Sequence, residues 1–380
     1  MITVLPHRQD LADAMQQSLL LEELGIPPFR PRAPWWGGDL QTLRDTLRGV
    51  SLSDPQQAQT LKVPVDDGAS LLALLDLPIE GPAHALVLLC HGLGGSSESE
   101  GSRRLAMALR LEGFAVLRLN LRGAGEGRAL APGSYAAECN RDLLPVLRRA
   151  RQIAGELGMP GGPLPLAGAG ISLGGSILLN ATVAARRQGE SGLDALACLS
   201  SPLDLEACSR QFERPRNRLY QRWLVRRLRH QVVEDPHGIE DDLRRALCSA
   251  ERPRSIRAFD ALITAPRWGH ASVEAYYASA SPLRWLTSDL SLPPTLLLQA
   301  IDDPWVPADA ALALQQRRLH GEALNPRVEL CLPACGGHNG FHAPGDSPNS
   351  CWSDRLTALW LRRRLSPGPC PPAAEPGADG

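Results

Sequence analysis

The segment Leu164-Pro165-Leu166-Ala167-Gly168-Ala169-Gly170-Ile171-Ser172-Leu173-Gly174-Gly175-Ser176 carries an apolar run into a G-x-S-x-G pentapeptide and on into a helix-forming stretch, Ser176 to Ala185. This sets a serine on a strand-to-helix turn. Glycines on either side remove the Cβ clashes that a sharp turn creates, so the hydroxyl can stand clear of the backbone as a nucleophile. A five-residue pattern alone is weak; its weight depends on what surrounds it.

Apolar runs rich in Leu, Val and Ala recur at 84–90, 114–120, 164–170, 194–199, 295–300 and 327–332, most of them separated by helix-length segments. Continuous runs of this kind predict strands buried on both faces, hence an α/β fold with a mostly parallel central sheet flanked by helices. Ahead of them, Thr60 to Val65 and Ser70 to Leu77 flank Asp66-Asp67-Gly68, a hairpin signal. The alternation breaks between about 201 and 290, where helical patterns with charged faces predict a cap inserted between two strands. The predicted division is an N-terminal arm over 1–58, with a helical segment Leu11 to Leu24 and a Pro/Trp-rich run Ile26 to Trp36, then the first part of the core over 59–200. The cap over 201–290, the second part of the core over 291–364 and a disordered Pro/Gly/Ala-rich tail over 365–380 complete it.

Charges nearly cancel, with 40 basic and 41 acidic residues, so no whole-chain field favours nucleic acid or an anionic membrane. Nine scattered cysteines, mostly in apolar settings, read as reduced packing residues. The N-terminus lacks the apolar core of a signal peptide, and no stretch approaches the roughly 20 apolar residues that span a bilayer. A soluble cytoplasmic protein is expected. Arg210 to Arg229 holds eight arginines, with Leu219, Tyr220, Trp223, Leu224 and Leu228 at helical spacing. The expectation is a helix that buries this apolar stripe over the site while its arginines face water or acids such as Glu234, Asp235 and Glu240. Peripheral contact with anionic lipid is the other use of such a helix.

A serine hydroxyl needs a base to take its proton, an acid to orient that base, and donors for the oxyanion that develops. His338, in Gly336-Gly337-His338-Asn339-Gly340-Phe341, follows the last predicted strand and is the candidate base. Asp302 and Asp303, directly after the run Thr295 to Gln299, are the candidate acids. His91-Gly92-Leu93-Gly94-Gly95 follows another run, and the motif's mechanics put one oxyanion donor on Leu173 and the second on Leu93. The order Ser…Asp…His, each residue just past a strand, requires no metal and no cofactor. Cys331, Cys335 and His338 form C-x3-C-x2-H, but no second ligand pair follows, and zinc is set aside. Gly123-Ala124-Gly125-Glu126-Gly127 lacks the spacing of a nucleotide loop.

With these residues in place the chain resembles the YheT-like branch of the α/β-hydrolases, which includes animal membrane-associated esterases and phospholipases of the ABHD type. The likeness is carried by Leu40-Gln41-Thr42, His91-Gly92-Leu93, Asn120-Leu121-Arg122-Gly123, Ser172-Leu173-Gly174-Gly175, Phe259-Asp260, Asp302-Asp303-Pro304 and Gly336-Gly337-His338, among other stretches. The resemblance implies Ser172 as nucleophile, His338 as base and Asp303 as acid, the last because a D-x-x-V-P turn follows this strand in α/β-hydrolases. It also implies hydrolysis of carboxylic esters, with short-chain esters or acylglycerol-type lipids as substrates. Asp39 stands where the family often has histidine, Gly94 where it commonly has an acid and Ser176 where it often has asparagine; these departures bear on substrate preference. Two rivals remain: an acyltransferase using the same triad, and a non-catalytic module binding anionic lipid or nucleic acid through the basic cap.

Overall fold

The computed structural model describes residue 17 and residues 19–49, 57–288, 292–322, 325–347 and 350–366. Eight strands form one sheet in the order β1-β2-β4-β3-β5-β6-β7-β8. They are β1 (Gln59–Pro64), β2 (Ser70–Asp76), β3 (Ala85–Cys90), β4 (Phe114–Leu119), β5 (Leu166–Ile171), β6 (Ala195–Leu199), β7 (Thr295–Leu298) and β8 (Val328–Cys331). β1 and β2 form the expected hairpin, with Pro64 opposite Ser70, and β2 runs antiparallel to β4; every other pairing is parallel. Each of the six apolar runs coincides with one strand from β3 to β8. The α/β arrangement expected from their alternation is the one observed.

The reason is visible in β3. Leu86, Leu88 and Cys90 point into one core and Ala85, Val87 and Leu89 into the other. A strand buried on both faces keeps its two-residue period but loses all polar positions. The first core packs against α3 (Asn140–Gly158) and α4 (Leu173–Arg187), the second against α2 (Glu100–Leu111) and α10 (Trp352–Leu365). Helix α1 (Gly38–Arg48) lies in the arm, and α9 (Asp309–Leu319) follows β7. Of the predicted helix Leu11 to Leu24, residues 19–23 are helical and most of the rest lies outside the described residues, as does the tail beyond 366.

Between β6 and β7 the chain forms α5 (Leu205–Glu213), α6 (Arg218–Val233), α7 (Asp241–Cys248), α8 (Val273–Ala280) and shorter helical pieces, with no strand among the described residues. This insertion has its own apolar core, including Phe212, Leu224, Leu228, Leu247 and Phe259. Ile256–Phe259, Asp260–Thr264 and Ala265–Arg267 follow one another as one helical stretch with a π-turn in the middle. Pro266 has no N–H to offer the preceding turn, and the wider turn absorbs that loss.

The apolar stripe of α6 is the expected one at Leu224 and Leu228 but not at Leu219 and Trp223. Leu224, Val225, Leu228 and Val232 are buried, whereas Leu219 and Trp223 are 79% and 50% exposed. Residues 219 and 223 form a separate i, i+4 ridge beside the buried face, and Trp223 lies 6.4 Å from the Trp305 ring. Seven of the eight arginines of 210–229 are exposed, as the water-facing expectation has it. Arg210 pairs with Glu206, Arg216 pairs with Asp39 and Arg227 Nε donates to Gly94 O, while of the acids expected as partners Asp235 accepts Gly133 N–H instead. The acids lie beyond the C-terminal end of α6, out of line with most of its length. Among the described residues no helix is long and apolar enough to cross a membrane.

Candidate active site

β5 ends at Ile171 and α4 begins at Leu173, so the reversal from strand to helix falls on Ser172. Its backbone is held at φ 53° and ψ −125°, a conformation costing on the order of 1–3 kcal/mol that persists only where the surroundings impose it. The glycines permit it. A Cβ at Gly170 would lie 2.3 Å from the Gly175 backbone, and one at Gly174 would lie 2.3 Å from Cys90 O. Ser172 N–H donates to Leu199 O at 2.7 Å, which ties the turn to β6.

Past the C-terminal ends of β7 and β8, Asp303 and His338 converge on this serine. Ser172 Oγ lies 3.0 Å from His338 Nε2, and His338 Nδ1 lies 2.9 Å from Asp303 Oδ2. With Nδ1–H donating to the carboxylate, Nε2 is an acceptor facing the Ser172 hydroxyl. Asp303 is buried and fully satisfied. Its Oδ1 accepts Trp305 N–H and Val306 N–H at 2.8 and 3.0 Å, and its Oδ2 accepts Gln299 Nε2–H at 3.1 Å beside the histidine. Asp302 points elsewhere: its Oδ1 accepts Gly337 N–H at 2.8 Å, at the base of the histidine loop. Burial raises its pKa above the ordinary carboxylate value, partly offset by that backbone bond. The Trp305 ring stacks on His338 with centroids 4.7 Å apart and restricts the imidazole's rotation.

The loop after β3 closes the other side. A Cβ at Gly92 would lie 3.0 Å from Ser172 Cβ, so glycine lets this backbone pack tightly against Ser172. His91 Nδ1–H donates to Gly92 O at 2.8 Å and its Nε2 accepts Leu121 N–H at 3.2 Å. Burial pushes its pKa down to about 4, so it stands as a neutral strut under the loop. Tyr135 Oη accepts Gly94 N–H at 2.7 Å. Leu93 and Leu173 both line the cavity that opens beside Ser172. Leu173 opens α4, where a backbone N–H has no intrahelical acceptor.

That cavity has a volume of about 270 Å³, at the small end for ligand sites. Its outer wall comes from the insertion, through Leu205, Phe212, Leu224, Leu228, Ile256 and Phe259. Among the described residues no cluster of three His, Cys, Asp or Glu is arranged to hold a metal ion. Cys331 is buried in β8, and both ring nitrogens of His338 are engaged as above.

A sequence profile described as alpha/beta hydrolase fold matches residues 85–343, from β3 to the histidine loop. The chain belongs to the α/β-hydrolase fold family. YheT of Escherichia coli, provisionally named an esterase, is 29% identical over 343 residues, covering 90% of this chain and 95% of its own. Phospholipase ABHD3 of Mus musculus is 29% identical over 292 residues, covering 76% of this chain and 66% of its own. The resemblance read from the sequence is thus borne out. Among solved structures, an esterase of Pyrobaculum calidifontis superposes with a TM-score of 0.51 over 94% of this chain and 95% of its own, at 18% identity. Esterase Pf2001 of Pyrococcus furiosus gives a TM-score of 0.51 over 84% of this chain and 98% of its own, at 15% identity. At such identities the likeness is one of fold.

This α/β-hydrolase carries site residues that sequence reading passed over. Trp305 was legible only as part of the Asp303 turn, and His91 only as a neighbour of the glycines. Asp260 was a family-like residue without a task. It interrupts the largely apolar cavity wall and accepts Thr264 Oγ1–H at 2.6 Å and Tyr277 Oη–H at 2.8 Å. Burial pushes its pKa up from 3.8 to about 6, and these two hydrogen bonds only partly offset the rise.

Because the folded value lies above the unfolded one, the stability linked to Asp260 is full below about pH 4 and is lost as pH rises through about 6. A two-unit shift corresponds to about 3 kcal/mol. Asp260→Asn, which keeps an acceptor for Thr264 without the charge, is therefore expected to raise Tm above that of the parent at pH 8 and to match it near pH 4. Thermal melts of the two proteins across pH check this. A difference in Tm that does not change with pH would rule it out.

Proposed function

We propose that the protein is a serine hydrolase that cleaves carboxylic esters through an acyl-enzyme. The observation that carries this reading is the unbroken relay Ser172–His338–Asp303 at the edge of a mainly apolar cavity. Ser172 Oγ attacks the ester carbonyl as His338 Nε2 takes its proton, and Asp303 stabilises the imidazolium and holds its tautomer. The oxyanion is received by the N–H groups of Leu93 and Leu173, each such donor contributing about 3 kcal/mol to transition-state stabilisation. His338 then protonates the departing alcohol, and in the second half it deprotonates the water that releases the acid. Segment 201–290 serves as a cap whose apolar side chains receive the acyl chain.

Cavity size favours short to medium acyl chains over long ones. A panel of p-nitrophenyl esters of increasing acyl length is expected to give a maximum in kcat/KM at short or medium length and a fall beyond it. A steady rise to the longest chains would contradict the cavity as acyl site and point to an open, lipid-facing mode. A second reading, transfer of the acyl group to an alcohol, is favoured by one relative: a Saccharomyces cerevisiae protein named medium-chain fatty acid ethyl ester synthase/esterase 2, 26% identical over 327 residues. The same triad serves both reactions. Ester product formed when ethanol is added to the assay, at the expense of free acid, distinguishes transfer from hydrolysis.

A further inference from the structure

Helix α1 lies outside the stretch matched by the family profile, yet it packs on the loop that carries His338. His338 N–H donates to Thr42 Oγ1 at 2.8 Å, and Thr42 Oγ1–H donates onward to Gly38 O at 2.7 Å. At the far end of the same loop, His342 N–H donates to Gln41 Oε1 at 2.8 Å. Gln41 Nε2 in turn donates to Trp35 O at 2.7 Å and to His342 O at 3.3 Å. The Gln41 side chain is thus wholly committed, and it is buried at 1% exposure.

The loop needs support of this kind. Gly337, Asn339 and Phe341 have φ of 60°, 56° and 47°; glycine and asparagine visit this region readily, but for the bulky Phe341 such backbone persists only where neighbours dictate it. Contact with α1 is close along its length: a Cβ at Gly337 would fall 2.3 Å from Gly38 O, and one at Gly340 would fall 2.6 Å from Gln41 O. Helix α1 is itself pinned. Asp45 pairs with the buried Arg104, whose Nε donates to Asp354 of α10 at 2.7 Å.

We infer that Thr42, with Gln41 beside it, is a positioning residue for the histidine: the arm fixes the backbone of the His338 loop so that Nε2 meets Ser172 Oγ. The ring is then held at its tip by Asp303 and Trp305 and at its root by α1. This gives the Leu40-Gln41-Thr42 motif a task in turnover, and it rests on the Ser172–His338–Asp303 reading. A displacement of about 1 Å in such a group is enough to cost about a hundredfold in rate.

Thr42→Val keeps the side chain's shape and leaves the His338 N–H without its acceptor; Thr42→Ser restores the hydroxyl. In the full chain, assayed well below Tm, Thr42→Val is expected to lower kcat by about ten- to a hundredfold with KM changed by less than about twofold. The rate of Ser172 labelling by a fluorophosphonate should fall in step. Thr42→Ser should recover most of both. A purely structural role would lower Tm and leave kcat of the folded protein intact. A parental kcat in Thr42→Val, or a loss that Thr42→Ser does not restore, therefore overturns the inference. If the valine variant does not fold, Thr42→Ala is judged by the same two readouts. Labelling that survives in Ser172→Ala would instead mark the failure of the triad itself, whereas no labelling there and normal labelling in Thr42→Val would fail this inference alone.

Discussion

Ser172→Ala is expected to lower kcat for every ester substrate by about 10⁶-fold and to abolish fluorophosphonate labelling. Without Oγ there is no atom to form the acyl-enzyme, and the residual rate is what the oxyanion donors and binding alone supply. Stability tells a second part of this story. The residue sits at φ 53°, and alanine there is as strained as serine, so Tm should barely move. Ser172→Gly should be equally inactive yet more stable than the parent, since glycine occupies this region without a Cβ penalty. The strain held at Ser172 supports the proposal that this serine is the nucleophile. Activity or labelling in either variant would remove Ser172 as nucleophile, and a glycine variant no more stable than the alanine one would mean that the turn is not strained.

The strands from β3 to β8 were legible because each is buried on both faces, and burial on both faces leaves an uninterrupted apolar run. The elbow was legible because Gly170 and Gly174 are required by backbone approaches of 2.3 Å, which no other residue survives. What could not be read depends on which way a side chain turns once distant segments meet. Leu219 and Trp223 match the helical period of α6, but the period does not say which of two adjacent ridges faces the insertion's core. Trp305 reads as one more aromatic residue until the fold lays it over His338. Gln41 and Thr42 were visible as a motif some 300 residues away from the loop they hold, a separation at which spacing carries no information. Asp260 is the reverse case, a carboxylate in a helical segment that patterning would leave in water and that tertiary packing encloses.

The adjacent acids offer the sharpest separation. Asp303→Asn is expected to lower kcat by about 10⁴-fold, while Asp302→Asn should cost less than about tenfold. In Asp303→Asn the amide oxygen remains best placed at the Oδ1 position, where it accepts Trp305 N–H and Val306 N–H. The NH2 group then takes the place of Oδ2, facing His338 Nδ1. A donor there forces Nδ1 to become the acceptor and moves the imidazole proton to Nε2, the atom proposed to receive the proton of Ser172. The tautomer is wrong, and the same NH2 also meets the Gln299 Nε2–H that Oδ2 accepted, so that contact is lost as well. Asp302→Asn has no such consequence, because its oxygen can still accept Gly337 N–H and neither atom of its amide reaches the imidazole. Steady-state kinetics of both variants on one ester, with far-ultraviolet circular dichroism to show that each is folded, make the comparison. A larger loss in Asp302→Asn than in Asp303→Asn would transfer the role to the other acid, and equal, small losses in both would mean that His338 works without a carboxylate partner.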